Sequence, residues 1–241
     1  MNRRRALAII AHRGASCEAP ESTCAAILAA QAAGAEMIEL DAQLTADDRV
    51  VIFHDDRLDR TTDGRGWLRQ ATYPQLARLD AGRWFAPRFA NERVLLASQA
   101  LRIVRPPCRV NLELKPSSRG ARLVQRVLQC LRWTRMAHRV LISSFDWSLL
   151  RRVQRARPQL AKGLLCRQEP TRSLRAAIRL RCVAFHPHRS LVSPTLVDEA
   201  HAAGLRVHVW TIDRLSEARR LAAWGVDGVF TNNPRHLRVF R

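Results

Sequence analysis

Four short polar strings in the first half of this sequence contain the residues best suited to chemistry. In chain order they are His12-Arg13-Gly14, Glu39-Leu40-Asp41, His54-Asp55 and Asn111-Leu112-Glu113-Leu114-Lys115. Their histidines, carboxylates and cations form a set that suits metal-assisted attack on a phosphate ester. Each string lies at the C-terminal end of a short apolar run. Catalytic groups at the ends of successive strands are typical of a parallel β/α barrel.

Glu39, Asp41 and Glu113 are the candidate metal ligands. Carboxylates two residues apart on a strand share a face, and a third from a neighbouring strand would complete an all-oxygen site. Such a site favours one Ca²⁺ or Mg²⁺ ion over zinc. The alternative is that these acids only balance nearby arginines. Charged groups that point into a barrel are costly unless they are paired or metal-bound, which favours the metal site.

His12 and His54 are the candidate proton-transfer pair. Hydrolysis of a phosphodiester requires one group to take a proton from the nucleophile and another to protonate the leaving alkoxide. Both histidines follow apolar strands, and a glycine or an acid follows each. Purely structural, hydrogen-bonded histidines are the alternative. Among the other histidines, His186 before Pro187 is a secondary candidate for lining the site.

Arg13 and Lys115 can neutralise a phosphate whose charge grows in the transition state. Lys115 is notable because the sequence uses arginine almost everywhere, and its only other lysine is Lys162. Phe145 and Trp210 end predicted strands and are expected to form the wall of a substrate pocket. Alternatively, both side chains belong to the apolar core.

A β-hairpin is predicted from Met37–Ala42 and Val50–Phe53, because the short turn between them cannot hold a crossover helix. Folding about that turn sets Asp41 roughly opposite His54. Alternation along the strand keeps Glu39 on the same face as Asp41. The hairpin alone therefore gathers two carboxylates and a histidine on one surface.

The whole chain, residues 1–241, is expected to form a single α/β domain, a TIM (β/α)8 barrel. Residues 57–107 are interpreted as an excursion between the third and fourth strands that caps one side of the barrel mouth. Nine strand-like segments are one more than a barrel needs, and a hairpin arm partly outside the wall explains the surplus. The remaining predicted strands are Ala6–Ala11, Arg109–Leu114, Arg139–Ser143, Ala161–Leu165, Cys182–His186, Leu205–Trp210 and Gly228–Phe230.

The formal net charge is +20, nearly all of it from arginine. Such an excess suits polyanions or an anionic membrane surface, but it also fits a general compositional bias toward arginine and alanine. The sequence contains no recognisable nucleic-acid module, so a small anionic phosphodiester is favoured as the partner and no nucleic acid is expected. Peripheral membrane contact and the oligomeric state stay open.

Six cysteines without metal-binding spacing indicate structural thiols in a reducing compartment, and the cytoplasm is the predicted location. Arg3-Arg4-Arg5 and the apolar run Ala6–Ala11 mimic the start of a signal peptide. The run is too short and ends in His12-Arg13, so we interpret it as the first barrel strand.

Taken together, the strings resemble the glycerophosphodiester phosphodiesterase family over nearly the whole chain. The resemblance implies a TIM barrel that hydrolyses glycerophosphodiesters to sn-glycerol 3-phosphate and an alcohol. It also implies a divalent cation on the three carboxylates, with His12 as general base and His54 as general acid. Besides the four strings, the matching motifs are Pro20-Glu21-Ser22-Thr23, Leu58-x-Arg60-Thr61-Thr62, Ser144-Phe145, Val209-Trp210-Thr211-Ile212-Asp213 and Gly225-Val226-Asp227-Gly228-Val229-Phe230-Thr231.

The sequence departs from the family pattern at three places. Ser22 stands where asparagine is usual, residues 95–99 replace a Pro-Thr-Leu-Glu-Glu stretch, and Asn232 stands where the closing motif has aspartate. None of these removes a proposed catalytic residue. Two other functions compete with hydrolysis of glycerophosphodiesters: a barrel that binds anionic phosphate or lipid headgroups without catalysis, and a related phospholipase that acts on intact lipids.

Overall fold

A computed structural model describes residues 6–240, and within them eight parallel strands close into a barrel. The ring closes because the first strand pairs with both the second and the last. The predicted TIM barrel is therefore confirmed. The strands are β1 (Ala8–His12), β2 (Met37–Leu44), β3 (Val50–Ile52), β4 (Arg109–Leu114), β5 (Val140–Ser144), β6 (Lys162–Cys166), β7 (Ala184–Pro187), β8 (Arg206–Val209) and β9 (Gly228–Thr231).

Helices follow most barrel strands, and several begin at capping residues visible in the sequence. The side chains of Thr23, Asp146 and Ser193 accept hydrogen bonds from backbone N–H groups in the first turns of their helices. The helices are α1 (Cys24–Ala32), α2 (Tyr73–Leu76), α3 (Ala97–Ile103), α4 (Gly120–Thr134), α5 (Trp147–Ala156), α6 (Pro170–Arg179), α7 (Pro194–Ala202) and α8 (Leu215–Ala223).

Alternation along the strands separates the apolar core from the polar barrel interior. Ile38 and Leu40 of β2 belong to the main apolar core that the surrounding helices cover. Glu39 and Asp41, which alternate with them, line the cleft at the barrel mouth. Sequence positions of one parity therefore stabilise the fold, while those of the other parity build the site.

The hairpin of β2 and β3 is present, and β3 lies outside the barrel ring, where it pairs with β2 and forms one further antiparallel bridge, between Val51 and Leu96. This accounts for the ninth strand. Its register differs slightly from the prediction. Ala42 lies opposite Ile52, and the Phe53 N–H donates to the Asp41 carbonyl, so the residue facing Asp41 is Phe53 and not His54. His54 is one residue further along, where it can turn into the cleft.

The excursion at 57–107 is less uniform than predicted. Its first part forms a small second apolar core with Val51 and Phe53, to which Leu58, Leu68 and Leu76 contribute. Its last part, α3, packs between α1 and α4 and so belongs to the helical layer of the barrel. The excursion supplies no residue that lines the cleft, although it lies beside the His54 loop.

The remaining observations concern the arginine string near the start of the sequence, membrane-spanning helices and the cysteines. The string Arg3-Arg4-Arg5 lies outside the described residues. Among residues 6–240, no helix is long and apolar enough to cross a membrane. The six cysteines are all free thiols.

Candidate active site

A cleft of about 580 Å³ opens at the C-terminal ends of the barrel strands. The cleft is lined by nine of the candidate site residues predicted from the sequence: the three carboxylates, His12 and His54, both cations and both aromatics. The cleft is also lined by Pro116, Leu165, Arg167, Thr211 and Phe230.

The three carboxylates form a compact buried cluster. Asp41 lies directly opposite Glu113 in the pairing of β2 with β4, and Glu39 precedes Asp41 by two residues on the same strand face. One oxygen from each of the three lies within 4.8 Å of the others, and their exposed fractions are 3%, 1% and 7% for Glu39, Asp41 and Glu113. Within residues 6–240, Glu39 Oε1 and Asp41 Oδ2 accept no hydrogen bond.

Proximity of buried negative charges changes the protonation of this cluster. Burial, together with the charges of Asp41 and Glu113, raises the pKa of Glu39 well above its usual range. Burial and Asp41 raise the pKa of Glu113 to about 7, although Lys115 acts in the opposite direction. Buried oxygens without a hydrogen bond and raised carboxylate pKa values both indicate a place where a positive charge is needed.

Two cations flank the cluster. Lys115 Nζ lies 3.1 Å from Glu113 Oε1 and 3.4 Å from Asp41 Oδ1. Arg13 Nε lies 3.7 Å from Asp41 Oδ2, and the Arg13 backbone N–H donates to Glu39 Oε2 at 3.0 Å. Arg13 adopts a left-handed backbone conformation with φ of 58°, which is uncommon for a residue with a side chain and is typical of functional turns.

His12 is oriented by a chain of hydrogen bonds from the last strand. Its Nδ1 lies 2.8 Å from Asn232 Oδ1, and Asn232 Nδ2 donates to Asp213 Oδ2 at 2.7 Å. Because a carboxylate only accepts, the amide NH₂ must face Asp213, and the amide oxygen therefore accepts from His12. Nε2 of His12 is then the unprotonated nitrogen, 4.0 Å from Glu39 Oε2. Burial, reinforced by Arg13, lowers the pKa of His12 to about 4.

His54 is held by a chain of ion pairs. Its Nδ1 donates to Asp55 Oδ1 at 2.6 Å, and Asp55 also pairs with Arg60 at 2.6 Å. Arg60 reaches Glu21, which in turn pairs with Arg13 at 3.0 Å. Hydrogen bonding to Arg60 lowers the pKa of Asp55 to about 2. Burial lowers the pKa of His54 and outweighs the opposing charge of Asp41. The loops that carry the two histidines are thus linked by charge.

The far wall of the cleft is aromatic. The rings of Phe145 and Trp210 meet edge to face with centroids 5.5 Å apart, and Trp210 Nε1 donates to the His186 carbonyl at 2.8 Å. His186 itself does not line the cleft. Its side chain is fully buried and stacks on His208, with ring centroids 5.1 Å apart. The secondary interpretation of His186 as a site-lining residue is therefore wrong, and its imidazole belongs to the barrel interior.

Comparison with known proteins decides the family. A model described as the glycerophosphoryl diester phosphodiesterase family matches residues 12–236. The chain belongs to this family. It is 34% identical over 231 residues to the glycerophosphodiester phosphodiesterase of Caldanaerobacter subterraneus subsp. tengcongensis, covering 95% of each chain. It is 30% identical to that of Bacillus subtilis, covering 93% of this chain and 83% of the relative.

Solved structures of similar proteins have the same fold. An Oleispira antarctica phosphodiesterase in complex with the product sn-glycerol-3-phosphate superposes with a TM-score of 0.92 at 31% identity, covering 97% of this chain and 96% of that one. A Silicibacter pomeroyi protein described as a glycerophosphoryl diester phosphodiesterase gives 0.89 at 28% identity, covering 98% and 93%. The predicted fold, family and enzyme class, a phosphoric diester hydrolase, are confirmed.

The sequence did not single out some of the residues that line the cleft or support its histidines. Arg167 lines the cleft, and Glu21, Arg60 and Asn232 support His12 and His54. Glu21 and Arg60 stood in recognised motifs, but their mutual contact joins parts of the chain far apart in sequence. Arg167 could have been found by strand register, because it follows Leu165 by two residues and so continues the inward face of β6.

Proposed function

We propose that this chain hydrolyses glycerophosphodiesters to sn-glycerol 3-phosphate and an alcohol, with a divalent cation held by Glu39, Asp41 and Glu113. The observation that carries the proposal is the meeting of these buried acids with two oriented imidazoles in one cleft. The similar Oleispira antarctica phosphodiesterase, which has sn-glycerol-3-phosphate bound, supports the same product here.

Ca²⁺ or Mg²⁺ fits the donor set. All three side chains offer hard oxygen ligands, and Glu39 Oε1 and Asp41 Oδ2, which accept no hydrogen bond among the described residues, are available for coordination. When bound, such an ion would offset the repulsion among the carboxylates and polarise a phosphoryl oxygen.

The two histidines divide the proton transfers. His12, whose neutral Nε2 faces the acid cluster, takes a proton from the nucleophile, which is either water or the adjacent hydroxyl of the substrate. If the substrate hydroxyl attacks, water then opens the resulting cyclic phosphate to give the same product. His54 gives a proton to the leaving alkoxide, and the Asp55 carboxylate at its Nδ1 stabilises the protonated ring. Arg13 and Lys115 compensate the charge that grows on the phosphate, because both already lie beside the acids at the phosphate end. Phe145 and Trp210 form the apolar wall against which the substrate packs.

The decisive experiment incubates the purified protein with glycerophosphocholine and either Ca²⁺ or Mg²⁺ and measures released glycerol 3-phosphate. We expect turnover that EDTA abolishes and that the added metal restores. The substitution His12→Ala should remove turnover, while a surface change such as His138→Gln should leave it intact. Binding of the substrate without release of glycerol 3-phosphate would support the non-catalytic alternative, and activity confined to intact phospholipid vesicles would support the lipase.

A further inference from the structure

Arg167 occupies a distinctive place at the rim of the cleft. It directly follows β6, and β6 stands across the closed ring of strands from β1, which carries His12. The Arg167 side chain is exposed, and its guanidinium carbon lies 5.3 Å from the centroid of the Trp210 ring. Among residues 6–240, no carboxylate oxygen lies within 4.0 Å of its nitrogens.

The other cations of the cleft are compensated. Arg13 pairs with Glu21 and Asp41, and Lys115 pairs with Asp41 and Glu113. Arg167 instead projects a permanent positive charge into the mouth with an aromatic face as its neighbour. An anion for this guanidinium must therefore come from the bound ligand.

The layout of the cleft indicates which part of the ligand Arg167 meets. The acids, the histidines and their two cations gather on β1, β2, β4 and the His54 loop, so the phosphate reacts at that side. The glycerol moiety is small and uncharged. The alcohol moiety is the variable part, and it must extend away from the phosphate toward the open rim opposite, where Arg167 lies.

The contact between Arg167 and Trp210 indicates which charge on the alcohol moiety is favoured. A tryptophan face is the preferred surface for a quaternary ammonium group such as choline. Here that ring already carries the Arg167 guanidinium, so a cationic alcohol would meet both a covered ring and a like charge. An alcohol that carries a phosphate or carboxylate would meet an uncompensated cation instead.

We propose that Arg167 determines specificity by favouring glycerophosphodiesters whose alcohol moiety carries an additional anionic group over those whose alcohol is cationic. The inference rests on the proposed function. Arg167 acts on the leaving alcohol and not on the reacting phosphorus, so it changes the ranking of substrates more than the chemistry common to all of them.

The test compares kcat/KM for three probes: glycerophosphoinositol 4-phosphate, glycerophosphoinositol and glycerophosphocholine. The first two differ only in the additional phosphate. Wild-type protein should prefer the phosphorylated probe over its neutral counterpart, and choline should rank last. Arg167→Gln should lower the ratio of phosphorylated to neutral probe by about 3- to 10-fold and raise relative turnover of the choline probe. Arg167→Glu should reverse the ranking.

Arg220→Gln is the matched control. Arg220 also lies over a tryptophan, 5.2 Å from the Trp224 ring centroid, and its loss makes the same change in net charge outside the cleft. Its substrate ratios should equal those of the wild type. Equal ratios in wild type, R167Q and R220Q, or a uniform loss on all three probes in R167Q, would overturn the assignment while leaving the hydrolase function intact. Failure of the wild type to cleave any of the probes would instead contradict the proposed function.

Discussion

Asn232 Oδ1 lies 2.8 Å from His12 Nδ1 and fixes which nitrogen of this imidazole faces the site. The pairing joins residues 220 positions apart, at the ends of two adjacent barrel strands. A neutral amide orients the ring without adding the negative charge that a carboxylate would bring. The lowered pKa of His12, about 4, which arises mainly from burial, is therefore not offset by an anionic neighbour at Nδ1.

Replacing this amide by a carboxylate tests the relationship. Asn232→Asp should raise the pKa of His12, because an adjacent anion stabilises the protonated imidazole. If neutral His12 is the general base, the acid limb of the kcat/KM profile then moves to higher pH. Profiles measured between pH 4 and 9 would reveal the shift. Asn233→Asp adds the same charge at the neighbouring residue, whose side-chain oxygen accepts from the His236 N–H, and should leave the limb unchanged.

Removal of either imidazole should separate catalysis from metal binding. His12→Ala or His54→Ala should lower kcat by about 100- to 10,000-fold, the usual contribution of general acid–base groups. The three carboxylates stay in place, so titration calorimetry with Ca²⁺ or Mg²⁺ should still show binding. Turnover near that of the wild type in either variant would refute the assigned roles.

The acid cluster should make the metal-free protein sensitive to pH. Glu113 has a pKa of about 7 when folded, against an ordinary value of 4.5. Below pH 4.5 both states hold the proton and nothing is lost. Between pH 4.5 and 7 the unfolded chain releases this proton before the folded protein does, so the free energy of unfolding falls by about 3 kcal/mol and falls no further above pH 7. Glu113→Gln should remove this loss, as measured by urea unfolding in EDTA at pH 5 and 8.

Glu113→Gln should also weaken the stabilisation that a bound metal ion gives. Divalent cation should raise the Tm of the wild type, more at pH 8 than at pH 5, because it competes with protons for the carboxylates. In E113Q this increase should shrink or vanish. A matched surface change, Glu199→Gln, should retain the full metal-induced rise. An equal rise in E113Q and the wild type would contradict the assignment of Glu113 as a ligand.

Much of the architecture was predictable because it depends on short-range patterns. Short apolar runs located the strands to within two residues, as with β4 and β5. Residues at strand ends, such as Glu113 and Lys115, could be placed at one mouth because parallel strands share an edge. These signals are local, and closure of the barrel brings the residues at the strand ends close together.

The remaining details depend on contacts that no local pattern contains. The register of the hairpin places Phe53, and not His54, opposite Asp41. The pairing of Arg60 with Glu21 depends on how the excursion packs against the loop between β1 and α1. The buried state of His186 follows from its stacking on His208, where its ring replaces the apolar side chain expected in a barrel interior. Sequence alone could not distinguish a histidine at the cleft from one below it.

That buried imidazole pair yields the last prediction. Burial lowers the pKa of His208 to about 4 and that of His186 well below its usual range, whereas in the unfolded chain both titrate near 6.5. The folded state therefore keeps its full stability above pH 6.5 and loses it as pH falls toward 4, because the unfolded chain gains protons first. For His208 alone the loss between pH 7.5 and 5 is about 2 kcal/mol. His208→Gln should reduce this acid sensitivity by that amount in urea unfolding, and the exposed His138→Gln should retain it. An unchanged acid loss in H208Q would show that His208 titrates normally inside the barrel.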